Sequence, residues 1–147
     1  MAEVVLRAAL AAAGLDTRVA VDSAGTGDWH VGDPMNSRAR AQLARRGYDG
    51  SAHRARQFND SWFAERDLVL AMDASNLASL RVLAAADAQP RIRLFGEVTD
   101  LGAVDVPDPY EGTQAEFARV LDMLESAMPR LVRQLAAAFD DPASLNA

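Results

Sequence analysis

No cysteine occurs in the chain. That absence excludes disulfides, thiolate metal sites and any cysteine nucleophile supplied from these residues. Lysine is also missing: all 15 basic residues are arginine. Together with the heavy use of alanine, this reads as compositional bias rather than function. No apolar run approaches the roughly 20 residues that a bilayer span needs. A secretory leader is not expected either, since Met1-Ala2-Glu3 puts an acid where a basic n-region would stand. The expected address is the cytoplasm. A net charge of −6 and a pI near 4.8 argue against a nucleic-acid-binding surface. His30 has no neighbours at metal-ligand spacing, so no metal or other cofactor is called for. Internal repeats and low-complexity linkers are absent as well.

What is present suits one globular domain. The 147 residues are 50% hydrophobic and 24% charged, enough for a real core. Residues 2–13 are strong helix formers with Leu6 and Leu10 four apart, and Gly14 is placed to stop them. Arg18–Ser23 is a short β-branched run before the turn Ala24–Gly27 and predicts a strand. The loop Asp28–Pro34 follows. Asn36 or Ser37 caps a helix through about Arg46, which Gly47 ends. Tyr48–Gln57 is irregular, and Asn59 caps one helical turn through Trp62 and Phe63.

Asp67–Met72 is continuously apolar after its first residue, as in a strand covered on both faces. Asp73 caps the next helix, with Leu77, Leu80 and Leu83 at helical spacing. Arg91–Phe95 predicts a third strand. The last helix is expected over 114–138, with Pro129 kinking or splitting it. Residues 1–139 form the domain and 140–147 a polar tail. Strands alternating with helices predict an α/β three-layer sandwich with a small parallel sheet. Such a domain normally begins with a strand feeding its first helix, whereas this chain begins at the helix.

The chain is organised around Val104–Gly112. Pro107 and Pro109 deny that stretch regular structure, because each fixes φ and lacks an N–H donor. Asp105, Asp108 and Tyr110 are displayed on it, and Thr113 with Glu116 forms a capping box for the helix behind. From residue types alone the first reading is a proline-rich turn with solvated acids, and the second is one acid held in a fixed place.

Five stretches resemble the low-molecular-weight protein tyrosine phosphatase family, in its order and across nearly the whole chain. They are Asp22-Ser23-Ala24-Gly25-Thr26, Asp28-Trp29-His30-Val31-Gly32, His53-Arg54-Ala55-Arg56-Gln57, Met72-Asp73-Ala74-Ser75-Asn76-Leu77 and Asp108-Pro109-Tyr110. The resemblance favours the second reading of the Asp108 loop. Family members open with a strand and then Cys-x-x-Gly-Asn-x-Cys-Arg-Ser-Pro, whose first cysteine is the nucleophile and whose backbone holds the phosphate. That segment would lie before Met1, so Met1 is read as an internal methionine of the pattern. The missing strand would be central, between Arg18–Ser23 and Asp67–Met72. A chain lacking it is expected to be molten, aggregated or dependent on a partner.

The resemblance implies that Asp108 is the general acid and base, and that Pro109 and Tyr110 position it. Trp29 and Tyr110 would wall a flat phenyl substrate, either a phosphotyrosine protein or a small aryl phosphate. It implies support of the phosphate loop by Asp22, Ser23, His53 and Asp73. Beside those roles, Ser23 reads equally as a turn residue, Asp73 as a helix cap and His53 as structural. Asp105 is expected to be solvated. Relatives often carry a second aromatic where Glu111 stands, which should disfavour acidic phosphopeptides. Two other functions compete: a non-catalytic binding or regulatory protein on the same fold, and an arsenate-reductase-like activity. The latter does not call for an Asp-Pro-Tyr loop.

Overall fold

The computed structural model describes residues 1–139; the polar tail at 140–147 lies outside the described residues. Helix α1 (Ala2–Ala12) runs into Gly14, whose φ of 69° suits a residue without a Cβ. Helix α2 (Ser37–Arg45) starts at Asn36, whose side chain accepts from the Arg38 and Ala39 amides. Asn59 caps the short 3-10 turn Asp60–Ala64 by accepting from Ser61. Strand β1 (Val69–Ala71) leads to helix α3 (Ala74–Leu83), where Asp73 accepts from Asn76 at 2.6 Å. After a 3-10 turn at Gln89–Arg91 come strand β2 (Ile92–Leu94) and helix α4 (Gln114–Ala137).

Strands β1 and β2 pair in parallel, with Val69 opposite Ile92 and Ala71 opposite Leu94. Strand alternation then divides the apolar residues between two faces. Val69, Ala71 and Ile92 join Phe63, Leu80 and Ala88 under α3. Leu70, Met72 and Phe95 join Val5, Leu43, Val106 and the apolar stripe of α4 on the other side. The result is the expected α/β arrangement, helices on both faces of a small parallel sheet. Buried Gln42 ties α2 to the head of α4, donating to the Gln114 carbonyl at 3.0 Å and to its Oε1 at 2.7 Å. Arg46 adds ion pairs to Asp122 and Glu125.

Three expectations need correction or narrowing. Arg18–Ser23 does not form a strand: residues 19–24 carry no ladder pairing. The β-branched run supplies propensity, but a strand exists only through a partner. Instead, guanidinium groups cover its carbonyls, Arg7 donating to Val21 and Arg56 to Ser23. The two strands that do form span three residues each, shorter than Asp67–Met72 and Arg91–Phe95. Of the two outcomes expected at Pro129, splitting does not occur: helix α4 is continuous through it. Its ring removes the bond to the Glu125 carbonyl, but buried Leu124, Ala127, Met128 and Leu131 hold the helix to α1 and α2 on both sides.

Among the described residues β1 pairs on one edge only, and Leu68, Val69 and Leu70 are just half-buried. An unpaired edge beside apolar side chains is a template for association. Residues 1–147 should therefore bind a hydrophobic dye and self-associate with rising concentration. A dye-silent monomer in sedimentation would contradict this.

Candidate functional site

The Asp108 loop is tied to the sheet by Val106, which is buried and donates its amide to the Met72 carbonyl at 2.8 Å. Beyond it Asp108 is exposed, and its Oδ1 accepts from the Tyr110 amide at 3.0 Å. Gly112 donates to the Pro109 carbonyl at 2.7 Å, closing the turn. A Cβ at Gly112 would lie 2.9 Å from the Pro109 carbonyl oxygen and 2.8 Å from the Glu116 carboxylate, so a larger residue here would force the turn to shift. Glu116 in turn accepts from the Thr113 amide at 2.6 Å, the capping box expected from the sequence. Asp105 is engaged rather than merely solvated: it accepts from the Ala74 amide at 3.1 Å. Asp73 and Asp105 thus both serve the N-terminal end of α3, where a carboxylate is favoured by the helix dipole.

The facing loop, Asp28–Pro34, is fastened to the His53–Gln57 segment. Gly32 donates to Ala55 and Ala55 to Asp33, both at 2.9 Å. A bridge between Gly25 and Gln57 precedes the loop, and one between Pro34 and Arg54 stands at its end. Trp29 is 78% exposed and folds over Gly27, where a Cβ would collide with its ring. The ring that meets Tyr110 is that of His30, with centroids 5.1 Å apart and planes tilted by 40°.

A second cluster forms at the N-terminal end of α1. The Ser23 hydroxyl donates to Glu3 Oε2 at 2.6 Å, and His53 Nδ1 lies 3.5 Å from the same oxygen. Arg7 Nε pairs with the other oxygen at 3.1 Å. Burial holds His53 below its ordinary pKa, with the Glu3 charge acting in the opposite sense. Asp22 is bound by Arg66 through both oxygens, at 2.6 and 3.2 Å, with Arg56 at 3.6 Å. The hydrogen bonds from Arg66 lower its pKa despite partial burial.

The fold therefore brings Ser23 and His53 together, with Asp22 next to Ser23 in the chain, and sets Asp108, Pro109 and Tyr110 on their own loop beside His30. Sequence reasoning did not find Glu3 as the common acceptor, Arg66 as the partner of Asp22, or His30 as the partner of Tyr110. Glu3 carried only the signal of an acid in a helix's first turn, and no local pattern reports a tertiary partner. Among the described residues no group of three or more His, Cys, Asp or Glu side chains could hold a metal ion. Among the described residues no helix is long and apolar enough to cross a membrane.

Comparison with known proteins bears on the family and the fold. The family profile described as low molecular weight phosphotyrosine protein phosphatase matches residues 1–140. A low molecular weight protein-tyrosine-phosphatase of Streptomyces coelicolor is 46% identical over 136 residues, 90% of this chain and 82% of that protein. A crystal structure of a protein tyrosine phosphatase from Entamoeba histolytica, with Hepes in its active site, superposes with a TM-score of 0.88. It is 31% identical and is matched over 94% of this chain and 88% of its own. YfkJ from Bacillus subtilis superposes with a TM-score of 0.79 at 31% identity, over 95% and 86% of the two chains.

The Asp22–Arg66 pair makes a prediction about acid stability. A carboxylate with a lowered folded pKa contributes stability above its ordinary value, here 3.8, and loses it as pH falls through the lowered value. Urea denaturation should show Asp22→Asn to be less stable than the wild type at neutral pH, with the two curves converging at acid pH. Coinciding curves at neutral pH, or a loss that persists undiminished at acid pH, would mean that the pair contributes nothing through its charge.

Proposed function

The chain belongs to the low molecular weight phosphotyrosine protein phosphatase family, and from that premise we propose that Asp108 is the general acid and base of a phosphomonoester-hydrolysing site. The observation that carries this reading is the held carboxylate: Asp108 stands exposed on a stiff loop, its Oδ1 accepting from the Tyr110 amide at 3.0 Å. The reaction runs in two steps. A thiolate attacks phosphorus, forming the S–P bond and breaking the bond to the aryl oxygen, which Asp108 protonates as it leaves. Asp108 then takes a proton from the water that attacks the phosphocysteine, releasing phosphate and the thiolate.

Pro109 stiffens the acid loop, while Tyr110 and Trp29 offer aromatic faces to a phenyl ring. Asp22, Ser23, His53 and Asp73 support the loop that holds the phosphate. The substrate is a phosphotyrosine protein or a small aryl phosphate in the cytoplasm, with no role for nucleic acid, membrane or cofactor. Glu111 adds negative charge beside Tyr110 and disfavours acidic phosphopeptides.

These 147 residues contain neither the thiolate nor the loop that holds the phosphate in the family pattern. The same fact favours a second reading, a non-catalytic binding or regulatory protein on this fold. The purified chain is expected not to hydrolyse p-nitrophenyl phosphate, since a general acid alone contributes only about 10²–10⁴-fold. Placing a strand and a Cys-x-x-Gly-Asn-x-Cys-Arg-Ser-Pro loop in front of Met1 is expected to produce turnover in the ordinary range of roughly 1–10³ s⁻¹. Turnover of that size by residues 1–147 alone would mean that another group is the nucleophile. Silence of the extended chain would favour the binding protein.

A further inference from the structure

His30 and Asp33 have no part in the reaction just described, yet they join its two loops. Asp33 Oδ2 lies 3.1 Å from His30 Nδ1, which orients the imidazole. Backbone bonds from Val31 to the Asp28 carbonyl at 3.2 Å and from Asp33 to the His30 carbonyl at 2.9 Å fix the turn beneath it. The imidazole then meets the Tyr110 ring at 5.1 Å, within the range of favourable tilted aromatic pairs. The Tyr110 amide is the donor that holds Asp108 Oδ1.

We infer that His30, oriented by Asp33, is a positioning residue for this site: it clasps the Tyr110 ring and so sets the aromatic wall that receives the phenyl group of the substrate. The inference rests on the phosphatase reading for its functional consequence, but the clasp itself is a geometric claim. Tyr110 is 44% exposed, and the His30 side chain is 43% exposed. Without its neighbour the tyrosine ring would be free to change rotamer in solvent, and its ordering would fall on substrate binding. The Asp28–Pro34 loop is flanked by the Gly25–Gln57 bridge before it and held by the Pro34–Arg54 bridge and the Gly32–Ala55 bond at its end, which gives the clasp a fixed base.

The test has two arms. In the 147-residue chain, nuclear Overhauser contacts should link the His30 and Tyr110 rings. His30→Ala should shift the Tyr110 ring resonances toward free-tyrosine values, and His30→Phe should keep them dispersed. In the chain extended with the cysteine loop, His30→Ala should raise KM for aryl phosphates roughly two- to tenfold, the range one aromatic pair is worth. His30→Phe should restore KM, and inhibition by inorganic phosphate, which has no ring, should stay unchanged. Absence of the ring contacts overturns the clasp. Unchanged KM in His30→Ala, or an equal weakening of inorganic phosphate, overturns the positioning role. If the extended chain proves inactive, the phosphatase reading fails and the first arm alone decides the clasp.

Discussion

The hydrogen bond from the Val106 amide to the Met72 carbonyl at 2.8 Å fixes where everything at the candidate site can be. It joins the end of β1 to the loop before α4, and buried Val106 anchors that loop in the larger core. Pro107 and Pro109 remove two donors from the segment, so the remaining amides matter more. Tyr110 bonds the Asp108 side chain, Gly112 the Pro109 carbonyl and Thr113 the Glu116 carboxylate. A loop without a partner strand thus satisfies its donors locally, as buried or half-buried backbone must. Its prolines also narrow the unfolded chain's freedom, so little entropy is lost in ordering it.

Arginine has the complementary task. Carbonyls left without strand or helix partners accept from guanidinium groups: Val21 from Arg7, Ser23 from Arg56, Arg66 from Arg91 and His53 from Arg54. A planar fork of donors suits this better than a single ammonium. The arginine-only composition, which reads as bias in the sequence, is therefore used structurally at these four carbonyls. The same side chains reach carboxylates, Arg66 holding Asp22 and Arg7 holding Glu3, so the cluster at the start of α1 is a web of charge-assisted bonds.

The parts of this fold legible in the sequence are those whose causes are local. Asn36, Asn59, Asp73 and the Thr113–Glu116 pair cap the helices they were expected to cap, because a cap needs only its own next three residues. The apolar run at Asp67–Met72 marked a strand covered on both faces for the same reason. Arg18–Ser23 misled because its β-branched pattern says nothing about whether a neighbour exists. Pro129 does not split α4, because packing on either side outweighs one lost backbone bond. At the site, loop chemistry displayed Asp108 and Tyr110 but read first as a turn with solvated acids, and only the family resemblance singled out Asp108. Glu3 as the meeting point of Ser23 and His53 was not, since those residues lie 20 and 50 positions away in the chain.

The central claim is that this chain holds a general acid in working position although it contains no thiol. The direct measurement is hydrolysis of a series of aryl phosphates by the chain extended with the cysteine loop, with Asp108 and with Asp108→Asn. Asparagine keeps the side chain's shape and its acceptor for the Tyr110 amide but has no proton to give. The loss should grow with the pKa of the leaving phenol, reaching roughly 10²–10⁴-fold for the poorest leaving groups and shrinking for the best. An equal loss across the series would show that Asp108 acts only as part of the loop's framework, and would contradict the account.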